Sequence, residues 1–309
     1  MDNRYLGSGP YCYANSLTMA LGSTLEPGLV EVLTGSPFGM QLLGGRRPLF
    51  DPLGWDPNQG LDAALRHLGW TCETSVGAAG GTADEALDRL RAAVGSGPVL
   101  VGPVELGLLR HQPGMTEAIG ADHFMLVTGV EGDLVRFHDP HGHPFATLPA
   151  AEFAAAWRGE TIEYTDAEYT MRSDFRRVHE VDPLDALWAA LPDAVRWLDG
   201  RPELAPPNSL GGRDAALAFA EQAEAGLSPD RLGELQWFAV RVGARRLADA
   251  AWWLGQIGAG AASAIAERQA RLVGGLQYPV VAGDGKAIAA SLRELAPTYG
   301  ELRDVLGGW

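Results

Sequence analysis

Two β-prone runs at 123–130 and 134–138 constrain the fold of this 309-residue chain more than any other feature of its sequence. They are rich in aliphatic and aromatic residues and flank a Glu-Gly-Asp turn at 131–133, which predicts an antiparallel hairpin. Because the ends of such a pair lie side by side, His123 at the start and Asp139 at the end are predicted neighbours. An acid in that position fixes the tautomer of the imidazole and stabilises its protonated form.

A cysteine begins the first helix that the sequence predicts. Gly and Pro at 7–10 interrupt regular structure, and an amphipathic segment starts at Cys12. A thiol on the first helical turn meets unpaired backbone N–H groups and the positive end of the helix dipole, which favour the thiolate. The alternative is a small buried apolar residue, and pairing with Cys72 would consume the nucleophile. The flanking residues Tyr11 and Asn15 are candidate substrate-binding residues.

Together, Cys12, His123 and Asp139 form the predicted catalytic constellation. Nucleophilic cysteine enzymes need a thiolate, an imidazole that faces it, and a group that orients the imidazole. Asp122 is adjacent to His123, and adjacent strand residues point to opposite faces, so it is disfavoured as the orienting acid. A hydrogen-bonding role for His123 at a strand end and a turn role for Asp139 before Pro140 remain the alternatives.

A metal centre is a weaker interpretation of the same region. His138, His141 and His143 cluster with Asp139 along the chain. However, the chain has two cysteines and no second acid or histidine group with ligand spacing. We therefore expect no metal and no bound cofactor.

Composition excludes several classes of partner. The formal net charge of −15 disfavours nucleic acids and anionic membranes, because both would repel the chain. No apolar run approaches the roughly 20 residues that a membrane span requires, and residues 1–20 lack a secretory signal pattern. The low cysteine content favours a reducing compartment, so we expect a cytoplasmic protein.

The character of the sequence changes near residue 180, which predicts two domains, 1–180 and 181–309. The first part predicts an α+β fold and contains a long loop-like stretch at 35–60. The second part is rich in Ala, Leu and Arg and predicts an α-helical bundle, with helices at 184–198, 212–225, 229–257, 261–273 and 286–306. The helix at 229–257 has apolar residues on several faces, which its own bundle, the first domain or a second subunit of a homodimer could cover.

The Cys12 helix start and the segment ADHFMLVTGVEGDLVRFHDPHG resemble papain-like cysteine peptidases, especially the peptidase domains of bacteriocin-exporting transporters. With LTGSPFGM, GGRR and HFMLVTGV included, residues 5–180 are most similar to the family of the butirosin biosynthesis acyltransferase. The resemblance implies a papain-like fold followed by a helical region. It also implies an acyl-thioester enzyme with Cys12 as nucleophile, His123 as base and Asp139 as orienting acid. Papain-like peptidases have an oxyanion-binding Gln where this chain has Leu6, which weakens the peptidase interpretation.

The resemblance also suggests how substrates would bind. Arg46 and Arg47 could contact the phosphate of a phosphopantetheine-linked acyl donor, although a solvated loop pair is the alternative. Phe38 and Trp55 could line the acyl pocket, although core packing is the usual role of such aromatics. The expected partners are an acyl carrier protein or a coenzyme A thioester, and a small-molecule acceptor.

The sequence therefore predicts a cysteine acyltransferase or cyclase of secondary metabolism, of the kind used in antibiotic biosynthesis. It would take an acyl group onto Cys12 and pass it to an amine or an internal nucleophile. Two alternatives stay open: a cysteine peptidase or amidase, and a non-enzymatic binding module that retains the fold.

Overall fold

The structure, a computed structural model, describes residues 4–5, 10–22, 24–78 and 80–308. Its α-helices are α1 (Cys12–Ala20), α2 (Pro27–Leu33), α3 (Pro57–His67), α4 (Ala83–Val94), α5 (Ala150–Trp157), α6 (Pro183–Asp199), α7 (Gly212–Ala225), α8 (Pro229–Glu234), α9 (Val240–Gln256), α10 (Gly260–Gly275), α11 (Gln277–Ala282) and α12 (Gly285–Leu306). Its β-strands are β1 (Gln41–Leu43), β2 (Arg47–Leu49), β3 (Trp70–Ser75), β4 (Val99–Glu105), β5 (Asp122–Glu131), β6 (Leu134–Asp139), β7 (His143–Pro149), β8 (Met171–Arg177) and β9 (Leu210–Gly211).

These elements form two compact units. The sheet unit comprises Tyr11–Pro27 and Gly69–Glu180, and the helical unit comprises Met1–Pro10, Gly28–Leu68 and Val181–Trp309. One division falls at residue 180, the position of the predicted boundary. The difference from the predicted domains lies in residues 1–10 and 28–68, which are grouped with the C-terminal helices rather than with the sheet.

An antiparallel sheet of six strands, in the order β3-β8-β4-β5-β6-β7, organises the sheet unit. The predicted hairpin is confirmed as β5 and β6, with Leu126 opposite His138 and Val127 opposite Phe137. The apolar residues that α4 and α5 contribute pack with Met125, Val127 and Phe137 into one buried cluster. Helix α4 begins with a capping box in which Thr82 and Glu85 bind each other's backbone N–H groups.

The helical unit combines a small antiparallel sheet, β2-β1-β9, with the C-terminal helices. Two of its strands, β1 and β2, lie inside the stretch predicted as loop at 35–60. The other partner of β1 is β9, which comes from far along the chain, so that Gln41 pairs with Gly211. The fold is therefore mixed α and β, with antiparallel sheets and a C-terminal helical region.

The long helix predicted at 229–257 is present as α8, a π-helical segment (Leu235–Ala239) and α9, one after another. Leu235 and Ala239 are buried in the core of the helical unit, whereas Trp237 is 71% exposed. The bundle itself therefore covers one apolar face of this helix and leaves the Trp237 face open. Among the described residues, no helix combines the length and the apolar character that crossing a bilayer requires.

Candidate active site

The hairpin brings His123 and Asp139 into direct contact, as their positions in the sequence predict. His123 Nε2 lies 2.7 Å from Asp139 Oδ1, and both side chains are completely buried. The contact arises because β5 starts and β6 ends at the same edge of the hairpin, so the two side chains meet there. A buried imidazole held by a carboxylate has a fixed orientation and can accept a proton at its other nitrogen.

Asp139 has three further hydrogen-bond donors. His111 Nε2 lies 2.6 Å and Gln112 Nε2 lies 2.7 Å from Oδ2, and the backbone N–H of His141 donates to Oδ1 at 2.7 Å. Burial by itself raises the pKa of Asp139, but the hydrogen bonds from His111 and His123 outweigh burial and hold that pKa well below its usual range. These donors favour the ionised form of the Asp139 carboxylate.

Sequence reasoning missed His111 and Gln112, which lie on the loop between β4 and β5. The buried carboxylate of Glu105 anchors this loop at its base, because it accepts hydrogen bonds from the backbone N–H groups of Gly107 at 2.9 Å, Ile119 at 3.0 Å and Gly120 at 3.0 Å. Thr161 donates to the same carboxylate. The one local signal was a His-Gln pair directly before Pro113-Gly114, a polar pair entering a turn.

Cys12 is the first residue of α1 and is partly exposed. Ser16, one turn later on the same face, donates to the carbonyl of Phe124 at 3.2 Å. The rings of Tyr13 and Phe124 meet edge to face, with centroids 6.0 Å apart. Since Phe124 follows His123, these contacts put the first turn of α1 beside the start of β5.

The Cys12 thiol is not hydrogen-bonded to His123 in this structure. His123 Nδ1 is buried and has no hydrogen-bond partner in the described part of the protein. The predicted hydrogen bond between His123 and Cys12 is therefore not made here, although such bonds are often long before substrate binds. Both cysteines remain thiols. The predicted loop at 7–9 and the Leu6 position lie outside the described residues.

The predicted substrate-binding residues are divided between the two units. In the sheet unit, Tyr11 is 1% exposed, and its carbonyl accepts from the backbone N–H of Asn15 at 2.9 Å. The other four residues, Phe38, Arg46, Arg47 and Trp55, belong to the helical unit.

Within the helical unit, Phe38 and Trp55 pack in the core, whereas Arg47 lies on β2 rather than in a solvated loop. Phe38 and Trp55 are core residues with exposed fractions of 2% and 6%. The guanidinium of Arg47 forms an ion pair with Glu234, and the carbonyl of Arg46 accepts from Arg231. Their role in binding an acyl donor stays a prediction.

The histidines around Asp139 also form a cluster that could hold a metal ion. One potential ligand atom from each of His123, Asp139 and His141 lies within 4.8 Å of the other two. The rings of His123 and His141 have centroids 4.2 Å apart, and those of His111 and His143 are 5.3 Å apart. The spacing of ligands along the sequence did not reveal this group, because His123 lies 16 residues before Asp139 and reaches it only through the pairing of β5 with β6.

Comparisons with known proteins find similarity in the C-terminal helices and along most of the chain. Residues 206–307 match the family model described as YobF C-terminal domain. The chain is also 29% identical, over 296 residues, to the Bacillus subtilis (strain 168) protein named "Uncharacterized protein YobF". That alignment covers 94% of each chain, so the similarity extends well beyond the C-terminal helices.

Proposed function

We propose that the protein is a cysteine-dependent acyltransferase or cyclase that uses Cys12, His123 and Asp139 in a papain-like arrangement. The observation that carries this proposal is the buried His123–Asp139 pair at 2.7 Å, whose second ring nitrogen has no hydrogen-bond partner among the described residues. The first turn of α1, which carries Cys12, packs beside the same strand. This combination supplies a nucleophile, a base and an orienting acid.

The reaction would begin with attack of the Cys12 thiolate on the carbonyl carbon of an acyl thioester. The carbon–sulfur bond to the donor then breaks, and protonated His123 gives its proton to the departing thiol. An amine next attacks the acyl-Cys12 carbonyl and loses a proton to His123. Collapse of that intermediate forms the amide and releases Cys12. No redox step or metal is required for this sequence.

One feature of the site and one property of the substrate favour a thioester as the acyl donor. The first turn of α1 offers backbone N–H groups and the positive end of the helix dipole, both of which stabilise a thiolate and a developing oxyanion. A thioester carbonyl is more electrophilic than an amide and depends less on additional oxyanion donors. Coenzyme A and carrier-protein thioesters are therefore the proposed donors, with an amine as acceptor.

Intact-protein mass spectrometry after incubation with acyl-coenzyme A or acyl carrier protein tests this proposal. We expect one acyl adduct on the wild-type chain and on Cys72→Ala, and none on Cys12→Ala. Addition of an amine should then discharge the adduct as an amide. An adduct that persists in Cys12→Ala would refute the proposed nucleophile, and release only as the free acid would favour hydrolysis.

A further inference from the structure

Four large apolar side chains are exposed on two neighbouring segments of the helical unit. Trp237 and Phe238 lie on the π-helical segment, and Tyr278 and Val281 lie on α11. The exposed fractions are 71% for Trp237, 81% for Tyr278 and 61% for Val281. Single exposed apolar residues are ordinary, whereas a contiguous group of them marks an interaction surface.

A hydrogen bond joins the two segments that carry these side chains. Gln277, the first residue of α11, donates through Nε2 to the carbonyl of Gln236 at 3.2 Å. Trp237 and Tyr278 directly follow these two residues, and Val281 lies one helical turn after Tyr278 on the same face. The exposed side chains therefore form one surface, which we call the Trp237 patch: Trp237, Phe238, Tyr278 and Val281.

The π-helical segment determines which of its residues face solvent. Leu235 and Ala239 are buried in the core of the helical unit, and Trp237 and Phe238 between them are exposed. π-Helical turns are rare and occur frequently at functional sites. Because the exposed indole gains little from packing within its own fold, the stability of a single chain does not explain why a Trp stands at this position.

The size of the patch matches the apolar centre of a dimer interface. A buried aromatic side chain covers about 150–250 Å², so Trp237 and Tyr278 together present about 300 Å² of accessible surface, and Phe238 and Val281 raise the total to about 400–450 Å². A standard interface buries about 800 Å² on each partner, and homodimer interfaces are about 65% apolar. The patch therefore supplies most of the apolar area that one protomer must contribute.

Charge favours a second copy of this chain as the partner. The formal net charge of −15 makes two copies repel each other over most of their surface. The segment that carries the patch differs, because residues 235–283 contain five arginines and two acidic residues. The guanidinium of Arg241 donates to the carbonyl of Trp237 at 3.2 Å. The other four arginines pair with carboxylates: Arg245, Arg246, Arg268 and Arg271.

The surroundings of the patch are therefore close to neutral, so that two like surfaces can meet there without strong repulsion. They also offer an acidic foreign partner little free positive charge, because most of the arginines are already paired. An uncharged aromatic surface suits contact with itself, which is what a two-fold axis requires of each copy.

We propose that the Trp237 patch is the contact surface of a two-fold symmetric homodimer. Trp237 and Tyr278 form its centre, since Trp and Tyr are among the residues that most often dominate binding energy there. Dimerisation through this surface does not depend on the acyl transfer proposed above.

Sedimentation of the full chain over a range of concentrations measures the association. We expect the wild type to form a dimer, and its Kd to rise by about tenfold or more in Trp237→Ser and in Tyr278→Ser. Phe145→Ser is the matched control, because Phe145 is also 71% exposed but lies on β7 of the sheet unit. Its Kd should equal that of the wild type. Circular dichroism of each variant distinguishes loss of contact from loss of fold.

Hydrogen exchange of the wild type locates the interface without mutation. When the concentration is raised from below to above the Kd, protection should increase in residues 235–241 and 277–282 and stay unchanged in β7. A wild type that remains monomeric would overturn the proposal, as would a variant with both Ser substitutions that dimerises like the wild type. Protection confined to other segments would do the same. Binding of a monomeric wild type to phosphatidylcholine vesicles, lost in Trp237→Ser, would instead assign the patch to a membrane surface.

Discussion

Each unit of the protein buries a charged cluster, and the two clusters are neutralised in different ways. In the helical unit, Arg246 lies 2.7 Å from Glu31 and 3.0 Å from Asp51, so a permanent cation balances two carboxylates. In the sheet unit, the imidazoles of His111 and His123 contact Asp139 where the helical unit has a guanidinium. A guanidinium remains charged at any pH, whereas an imidazole gains and loses a proton near neutrality. The Arg246 cluster is suited to holding a fold together, and the Asp139 cluster to orienting an imidazole for proton transfer.

Additional hydrogen bonds reinforce this difference. Gln41 donates to Asp51 at 2.6 Å and Ser36 donates to Glu31 at 2.8 Å, which ties the loop between α2 and β1 and the start of β1 to the ion pairs. Around Asp139, the donors come instead from the hairpin and from the loop that carries His111 and Gln112. The comparison predicts that mutations around Arg246 change the stability of the protein, whereas mutations around Asp139 change the reactivity of Cys12.

The largest expected effect follows from His123→Asn. Loss of the base should lower the rate of acyl transfer by about a thousandfold or more. The free energy of unfolding should change little, because Asp139 keeps its donors from His111, Gln112 and the His141 backbone. Single-turnover transfer rates and urea denaturation measure the two quantities. A loss of stability as large as the loss of rate would break the distinction between the clusters.

The second-largest effect is expected at the buried ion pairs of Arg246. Arg246→Met should lower the free energy of unfolding by about 3–5 kcal/mol, because two buried carboxylates would lose their cation. The reactivity of Cys12 toward iodoacetamide should remain that of the wild type in the folded protein. Arg293→Met is the matched control, since Arg293 pairs with Glu224 at the surface and should contribute less than about 1 kcal/mol.

Mild acid should lower the stability contributed by His67 in the helical unit before it affects the contribution of Asp139 in the sheet unit. Burial, together with the charges of Arg66 and Arg196, lowers the pKa of His67 to about 4. His67 contacts Asp193, but Arg66 and Arg196 pair with that carboxylate too. Between about pH 6.5 and 4 the unfolded chain therefore binds the extra proton, so stability falls as the pH decreases through this window.

The expected loss from His67 is about 2–3 kcal/mol between pH 7 and pH 4. Asp139 has a lowered pKa, so its contribution is fully present above the ordinary carboxyl pKa of about 4 and is lost only at lower pH. Urea denaturation of the wild type and of His67→Gln at a series of pH values measures the difference. Parallel curves for the two proteins would contradict the assignment.

The smallest effect should come from His111. His111→Leu removes one donor from Asp139 and should slow the reaction of Cys12 with iodoacetamide at neutral pH by about tenfold, because the carboxylate is held less firmly. His111→Gln retains an N–H near the position of Nε2 and should restore most of the rate. Equal rates for the Leu and Gln variants would show that His111 only fills space.

Local patterns explain which parts of the fold could be predicted from sequence. The hairpin depends on a short turn and on alternating side chains, so the meeting of His123 and Asp139 could be predicted from the register. The Thr82–Glu85 capping box is likewise a local signal. Each of these features is encoded within about 20 residues of continuous chain.

The features that were missed depend on contacts between distant residues. Strand β1 is only three residues long and pairs with β9 across some 170 residues, which no local pattern reveals. His111 lies on an irregular loop, and its partner Asp139 becomes apparent only when Glu105 has fixed that loop. Similarly, residues 28–68 lack a composition that would assign them to the C-terminal helices.

The pairing of β1 with β9 has a consequence for synthesis on the ribosome. Residues 28–68 emerge early, but the small sheet cannot be completed until Leu210 and Gly211 have left the exit tunnel. The main segment of the sheet unit, Gly69–Glu180, is synthesised entirely within that interval. The nascent chain therefore carries an unfinished N-terminal segment while an inserted unit can already fold, and a chain shortened at residue 180 would leave β1 without its later partner.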